Sequence, residues 1–167
     1  MEPTPAVSRL IIVCGLPGAG KTTLARALES RLGGVRLCPD EWMEALGNDL
    51  YDEGCRARVE ALQWELGRRL LSLGAIVIVE WGTWGRTERD ALRIQARALG
   101  ASVELHALSA PVEVLLERIK QRGREDPPIG RDAVAAWLDI FQAPTSEELG
   151  LYDAPLMASP VKADAQA

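Results

Sequence analysis

The stretch GLPGAGKT, Gly15 to Thr22, sets glycines, a lysine and a threonine at the spacing GxxxxGK[ST]. Glycines at 15, 18 and 20 let successive backbone N–H groups turn inward around an anion. A helix starting there would point its positive dipole end at the same charge. Lys21 can reach the β- and γ-phosphates of a nucleotide, and the Thr22 hydroxyl is placed to ligate Mg²⁺. The expected nucleotide-binding set is Gly15, Leu16, Pro17, Gly18, Ala19, Gly20, Lys21, Thr22 and Thr23, with Thr22 as metal ligand. The bland alternative is a glycine-rich structural turn. The run RLIIVC before the motif and the helical pattern after it favour the P-loop.

The elements that must position this turn follow from hydrophobic periodicity. RLIIVC (Arg9–Cys14) reads as a buried strand, and Leu24, Leu28 and Leu32 mark a helix from Lys21 to Leu32 that Gly33-Gly34 stops. VRLC (Val35–Cys38) is a short strand, and Glu41–Leu46 begins a brief helix. Leu62, Leu66 and Leu70 line a longer helix over Cys55–Leu73. AIVIV (Ala75–Val79) is apolar throughout, as a strand covered on both faces requires. Helices over Thr87–Leu99, Pro111–Arg122 and Asp132–Gln142, with SVELHAL (Ser102–Leu108) as a fourth strand, complete the pattern. Strands alternating with helices predict a parallel α/β sheet, whose ligands bind beyond the carboxyl ends of the strands. Gly15, Asp40, Glu80 and Ser109 follow the four strands in turn and should share one edge.

Asp40, in LCPDEW, is either an N-cap behind Pro39 or the group that takes a proton from an acceptor hydroxyl. Glu80 could hold a magnesium-bound water, bind substrate or merely end a strand. In WGTWGRTER, Trp81 and Trp84 offer either a wall for the acceptor, which Trp42 could join, or a hydrophobic cap on the sheet. Arg86 and Arg89 offer either phosphate or acceptor contacts, or part of a solvated basic face with Arg93 and Arg97. Trp64 and Trp137 read as core. His106 reads as structural, and a single histidine removes histidine metal clusters and Ser-His-Asp chemistry from consideration.

Composition narrows the class. At 167 residues, 47% hydrophobic and 26% charged, the chain is expected to be one soluble domain. The net charge of −5, with no basic run, argues against a long nucleic acid as partner. No run is long enough to span a membrane. The N-terminus lacks the pattern of a secretory leader, and three cysteines without a CxxC pair suit a reducing cytoplasm. Nothing in the chain speaks to oligomeric state.

From Arg9 to Gln142 the chain resembles the small P-loop kinases, the group of polynucleotide, gluconate and shikimate kinases, chloramphenicol phosphotransferase and zeta-toxin-like kinases. The resemblance rests on Gly15–Thr22, on Asp40 after the second strand, and on Arg118 and Arg122 within APVEVLLERIKQRGRED. It implies a three-layer P-loop NTPase fold: a mostly parallel sheet of about four to five strands, helices on both faces and a small lid. One kinase domain would cover residues 1–156, with a lid near 123–131 and a flexible tail over 157–167. ATP and Mg²⁺ would be the cofactors. Asp40 would act as general base, and Arg118, Arg122 and Arg124 would steady the phosphates. Lys21, Asp40 and Arg122 form the expected catalytic set; Asp40, Trp42, Glu80, Trp81, Trp84, Arg86 and Arg89 form the expected acceptor set. The loop between Arg124 and Arg131, carrying Pro127-Pro128, is either that lid or an ordinary surface connection. The expected reaction is transfer of the γ-phosphoryl group to a hydroxyl of a small molecule such as an antibiotic, sugar or nucleoside. A polynucleotide 5′-hydroxyl kinase and a non-transferring ATPase switch are the alternatives.

Overall fold

All six residues of strand β1 (Arg9–Cys14) are buried, and their alternation divides the interior into two layers. The computed structural model describes residues 8–125 and 127–157. Leu10, Ile12 and Cys14 point to one face, where they meet Leu71, Leu92 and Ala96. Ile11 and Val13 point to the other, against Leu24, Ala25, Leu28, Leu115, Ile119 and Val134. A strand with apolar side chains on both faces must be covered on both. The covering elements are α1 (Lys21–Leu32), α2 (Pro39–Ala45), α3 (Glu53–Ser72), α4 (Arg86–Ala98), α5 (Val112–Arg122), α6 (Arg131–Ile140) and α7 (Ser146–Leu149). The other strands are β2 (Val35–Leu37), β3 (Ile76–Val79) and β4 (Ser102–Ala107). Among the described residues the sheet has four strands in the order β2-β3-β1-β4. Every pairing is parallel, with Arg9 level with Ile76 and Ser102, and Val35 level with Val77. This is the expected three-layer α/β architecture.

Several local readings change. α2 starts at Pro39, with Cys38 as its N-cap, so Asp40 is a residue inside the first turn and not the cap. Proline is favoured at the first helical position because its missing N–H has no partner to lose there. On α3 the buried row is Cys55, Val59, Gln63, Gly67 and Leu71. Leu62 and Leu66, in the expected leucine row, are 60% and 38% exposed, and only Leu70 packs on the core. Small Gly67 is what lets the helix lie close: a Cβ there would stand 3.2 Å from Leu37 Cδ1. Trp64 and Trp137 pack against the two core layers. His106 sits buried with Nε2 3.1 Å from Glu104 Oε2, in its structural role. Helix α7 had no counterpart in the sequence reading. Residues 1–7, 126 and 158–167 lie outside the described residues, and so does nearly all of the expected tail.

The segment after α7 runs beside β4. Asp153 N–H donates to Val103 O at 2.8 Å, and Val103 N–H donates to the Asp153 carboxylate at 2.6 Å. Leu156 N–H donates to Glu104 Oε1 at 2.9 Å.

Cys14, Cys38 and Cys55 are all free and buried. Burial pushes the thiols of Cys14 and Cys38 up to about 11. Since only the thiolate reacts, these two should react with a disulfide reagent at pH 8 about 100-fold more slowly in the native protein than in the unfolded chain. Thiol titration with and without denaturant measures this; rapid native labelling of two or more thiols would contradict it.

Candidate active site

β1 feeds directly into the phosphate-type turn. Gly15, Gly18 and Gly20 have φ of 149°, 82° and 100°, a region closed to most side chains. A Cβ on Gly15 would lie 2.6 Å from Leu108 O, and one on Gly18 would lie 2.9 Å from Leu115 O. These glycines let the turn nestle between the end of β4 and α5. No side chain caps α1, and its first turn holds no acidic residue, which leaves the positive end of the helix open to an anion. Lys21 Nζ folds over the turn and donates to Gly15 O at 2.9 Å and Leu16 O at 3.1 Å. Burial lowers this ammonium from 10.5 to about 8; Glu80 and Asp40 oppose the shift and Arg122 adds to it. The turn, both carboxylates and the α5 arginine therefore act on one group. The residues fit a nucleotide's phosphates.

A second cluster adjoins the turn. The Thr22 hydroxyl donates to Glu80 Oε1. Arg36 Nη1 donates to Glu80 Oε2 at 2.8 Å, and its Nη2 grips both oxygens of Glu41 at 2.7 and 2.8 Å. A threonine hydroxyl that donates to a carboxylate keeps its oxygen lone pairs for a cation. Among the described residues no group of three or more His, Cys, Asp or Glu could hold a metal. That suits Mg²⁺, which usually binds through one or two protein oxygens plus substrate phosphates.

On the far side, Asp40 Oδ1 accepts from Arg56 Nη2 at 2.6 Å, and the same nitrogen donates to Leu50 O at 3.1 Å. Glu60 lies 3.9 Å from Arg56 Nη1. Its carboxyl is pushed up by burial; Arg56 opposes this, and Glu88 and Asp40 add to it. Asp40, Arg56 and Glu60 thus form one charged cluster between α2 and α3. Trp42 packs with Leu50 on the small cluster of Met43, Cys55 and Val59, also between α2 and α3.

The tryptophan wall expected after β3 is not built. Trp81 is 9% exposed; its Nε1 donates to Gln63 Oε1 at 3.0 Å and its ring meets Trp64 edge-on at 6.3 Å. Trp84 packs against Trp137 with centroids 6.1 Å apart, beside the second core layer. Arg89 is fully buried rather than facing an acceptor or solvent. It forms a fork with Glu148 at 2.6 and 2.9 Å and donates to the carbonyls of Thr83, Trp84 and Gln142. This arginine is structural: it holds the turn at Thr83, whose φ of 41° is the positive value among described residues other than glycine. Arg86 pairs with Asp90 and Glu147.

Helix α5 brings its arginines to the phosphate turn. Arg118 Nη1 donates to Gly18 O at 3.1 Å. Arg122, one turn on, pairs with Glu125 at 3.2 Å, and Arg124 reaches Glu44 of α2 at 3.5 Å. The sequence reading missed Arg36 and Arg56. Arg36 left a usable signal, because a charged residue inside a short parallel strand needs a buried partner. Arg56 left none, since its partner Asp40 lies across a loop.

A parallel sheet whose first strand runs into a glycine-cradled turn and an uncapped helix defines a P-loop protein. The chain belongs to the AAA domain family, whose model matches residues 10–144. An uncharacterized protein of Mycobacterium tuberculosis is 35% identical over 132 residues, covering 70% of this chain and 26% of that one. The chain thus spans about a quarter of the length of the first curated relatives it matches. Among solved structures, one from the Pnkp1/Rnl/Hen1 RNA repair complex superposes with a TM-score of 0.68 at 19% identity, over 98% of this chain and 52% of that one. A sugar kinase from Janibacter sp. HTCC2649 superposes with a TM-score of 0.56 at 25% identity, over 84% and 82%. The fold is that of the small P-loop kinases. No helix among the described residues is long and apolar enough to cross a membrane.

Proposed function

We propose that this chain is an ATP-dependent kinase that transfers the γ-phosphoryl group to a hydroxyl of a small-molecule acceptor. The observation that supports the reading is geometric: Lys21 folds over the glycine-cradled turn, and Thr22 of that turn bonds Glu80, which Arg36 links to Glu41, the neighbour of Asp40. This run of contacts ties a candidate base to the phosphate turn, which a nucleotide switch without an acceptor would not need.

In this reading the backbone N–H groups of the turn from Gly18 to Thr23 and the Lys21 ammonium hold the β- and γ-phosphates. Thr22, with Glu80 behind it, would hold Mg²⁺, which when bound neutralises charge on the phosphate oxygens. Asp40 orients the acceptor hydroxyl and takes its proton as the oxygen forms a bond to the γ-phosphorus. The bond from that phosphorus to the bridging oxygen breaks, and ADP leaves. Arg118 and Arg122 offset charge on the transferring group, with Arg124 holding the segment that follows. Residues 123–131 act as a lid that limits hydrolysis. One kinase domain covers the chain to residue 156, and its free thiols suit the cytoplasm. The clustered carboxylates Asp40 and Glu60 suit an acceptor bearing hydroxyls or an amine, such as a sugar, nucleoside or antibiotic.

The test is a transfer screen with γ-labelled ATP over those three classes, with 5′-hydroxyl oligonucleotides as a separate arm. Label is expected on a small-molecule hydroxyl. Label on the oligonucleotides would favour a polynucleotide kinase. ATP hydrolysis that no acceptor stimulates would overturn transfer altogether.

A further inference from the structure

Arg36 stands on β2 with its side chain 8% exposed, yet it faces three carboxylates from three different elements. Glu29 of α1 lies 3.3 Å from its Nε, Glu41 of α2 takes both bonds from Nη2, and Glu80 beyond β3 takes Nη1 at 2.8 Å. One carboxylate would suffice to neutralise a buried guanidinium. The three differ in what else they hold. Glu29 makes a further contact to the Arg36 backbone N–H, and Glu41 also pairs with Arg26 at 3.0 Å. Glu80 alone accepts from the Thr22 hydroxyl as well.

Glu80 has 4% of its side chain exposed, so almost no water reaches its charge. With Arg36 removed, Glu80 would be a buried carboxylate without the partner that fixes its second oxygen, and it would turn toward water. That movement weakens the acceptor that orients the Thr22 hydroxyl. Glu41 is the residue after Asp40, so the other arm of the same guanidinium anchors the first turn of α2. A lysine could pair with Glu80 but could not span both arms, because the planar fork is particular to arginine.

We infer that Arg36 is a positioning residue for the metal–nucleotide site, acting through Glu80 to set the Thr22 hydroxyl toward Mg²⁺ while its second arm fixes the helix that carries Asp40. The inference rests on the reading of Thr22 as the magnesium ligand. Its role is distinct from that of Arg118 and Arg122, which approach from α5.

Titration of a fluorescent ADP analogue into the whole chain, with Mg²⁺ and with EDTA, tests it without any acceptor. In the wild type Mg²⁺ should tighten binding. Arg36→Met should lose about 10–100-fold of that tightening while binding in EDTA stays within about 2-fold. Arg36→Lys, which keeps one charged contact to Glu80, should retain the tightening within about 3-fold. Glu80→Gln should lose as much as Arg36→Met, and Arg36→Met/Glu80→Gln should lose no more than Glu80→Gln alone. The double variant buries no lone carboxylate at position 80, so it remains informative where Arg36→Met fails to fold. Equal losses with Mg²⁺ and with EDTA would mean a merely structural arginine and overturn the inference. So would a further loss on adding Arg36→Met to Glu80→Gln. If Mg²⁺ fails to tighten binding even in the wild type, the magnesium reading of Thr22 fails first.

Discussion

Asp40→Asn is expected to lower phosphoryl transfer by about 10²–10⁴-fold, the range for losing a positioned general base. The substitution keeps the side chain's size and an oxygen able to accept from Arg56, so the cluster between α2 and α3 should keep its shape. What disappears is the charge that receives the hydroxyl proton. Nucleotide affinity should change little, since the phosphate turn and Lys21 are untouched; the loss belongs in kcat. Transfer of label from γ-labelled ATP to the acceptor found by screening, beside nucleotide titration, measures both. Transfer within about 3-fold of wild type would remove Asp40 from the mechanism.

The second large effect is on stability and lies away from the chemistry. Arg89 and Glu148 have 0% and 1% of their side chains exposed and share two hydrogen bonds. Removing one partner leaves the other charge buried and unpaired, which costs about 3–5 kcal/mol. Arg89→Met should therefore lower the melting temperature by about 6–20 °C, at about 2–4 °C per kcal/mol for a chain of this size. Arg89→Met/Glu148→Leu should recover part of the loss. Recovery stays incomplete because three backbone carbonyls at residues 83, 84 and 142 also lose their donor. A thermal scan with Arg89→Met within about 1 kcal/mol of wild type would show that the pair is not an anchor.

What the sequence disclosed depended on how local the governing interaction is. Helix α1 runs from Lys21 to Leu32 as read, because glycines bracket it and leucines at i, i+4 and i+8 need no distant partner. The four strands and their alternation with helices were legible for the same reason. The face of α3 was not, because contact with β2 and β3 selects the row with Gly67, while Leu62 and Leu66 one position away lie outward. Arg89 read either as a phosphate or acceptor contact or as part of a solvated row, and neither reading could see Glu148, 59 residues on. Trp81 looked like a ligand wall until Gln63 satisfied its indole. Arg36, within a strand, signals its need for a buried partner, but nothing near it names Glu80, 44 residues away. The phosphate turn is a contiguous device and could be read whole; the contacts of Asp40, Glu80 and Arg89 are assembled across loops and could not.

The residues beside β4 carry one more consequence. A parallel sheet ends in strands with unspent donors and acceptors, and such margins recruit other chains. Here Val103 turns its N–H and C=O outward, and Asp153 occupies both, with its carboxylate and its own N–H. Arg97 in turn holds that carboxylate at 2.7 Å. One backbone group and the side chain of Asp153 thus cover Val103, so the margin is blocked there partly by a charge. A single aspartate bars another chain from pairing at Val103.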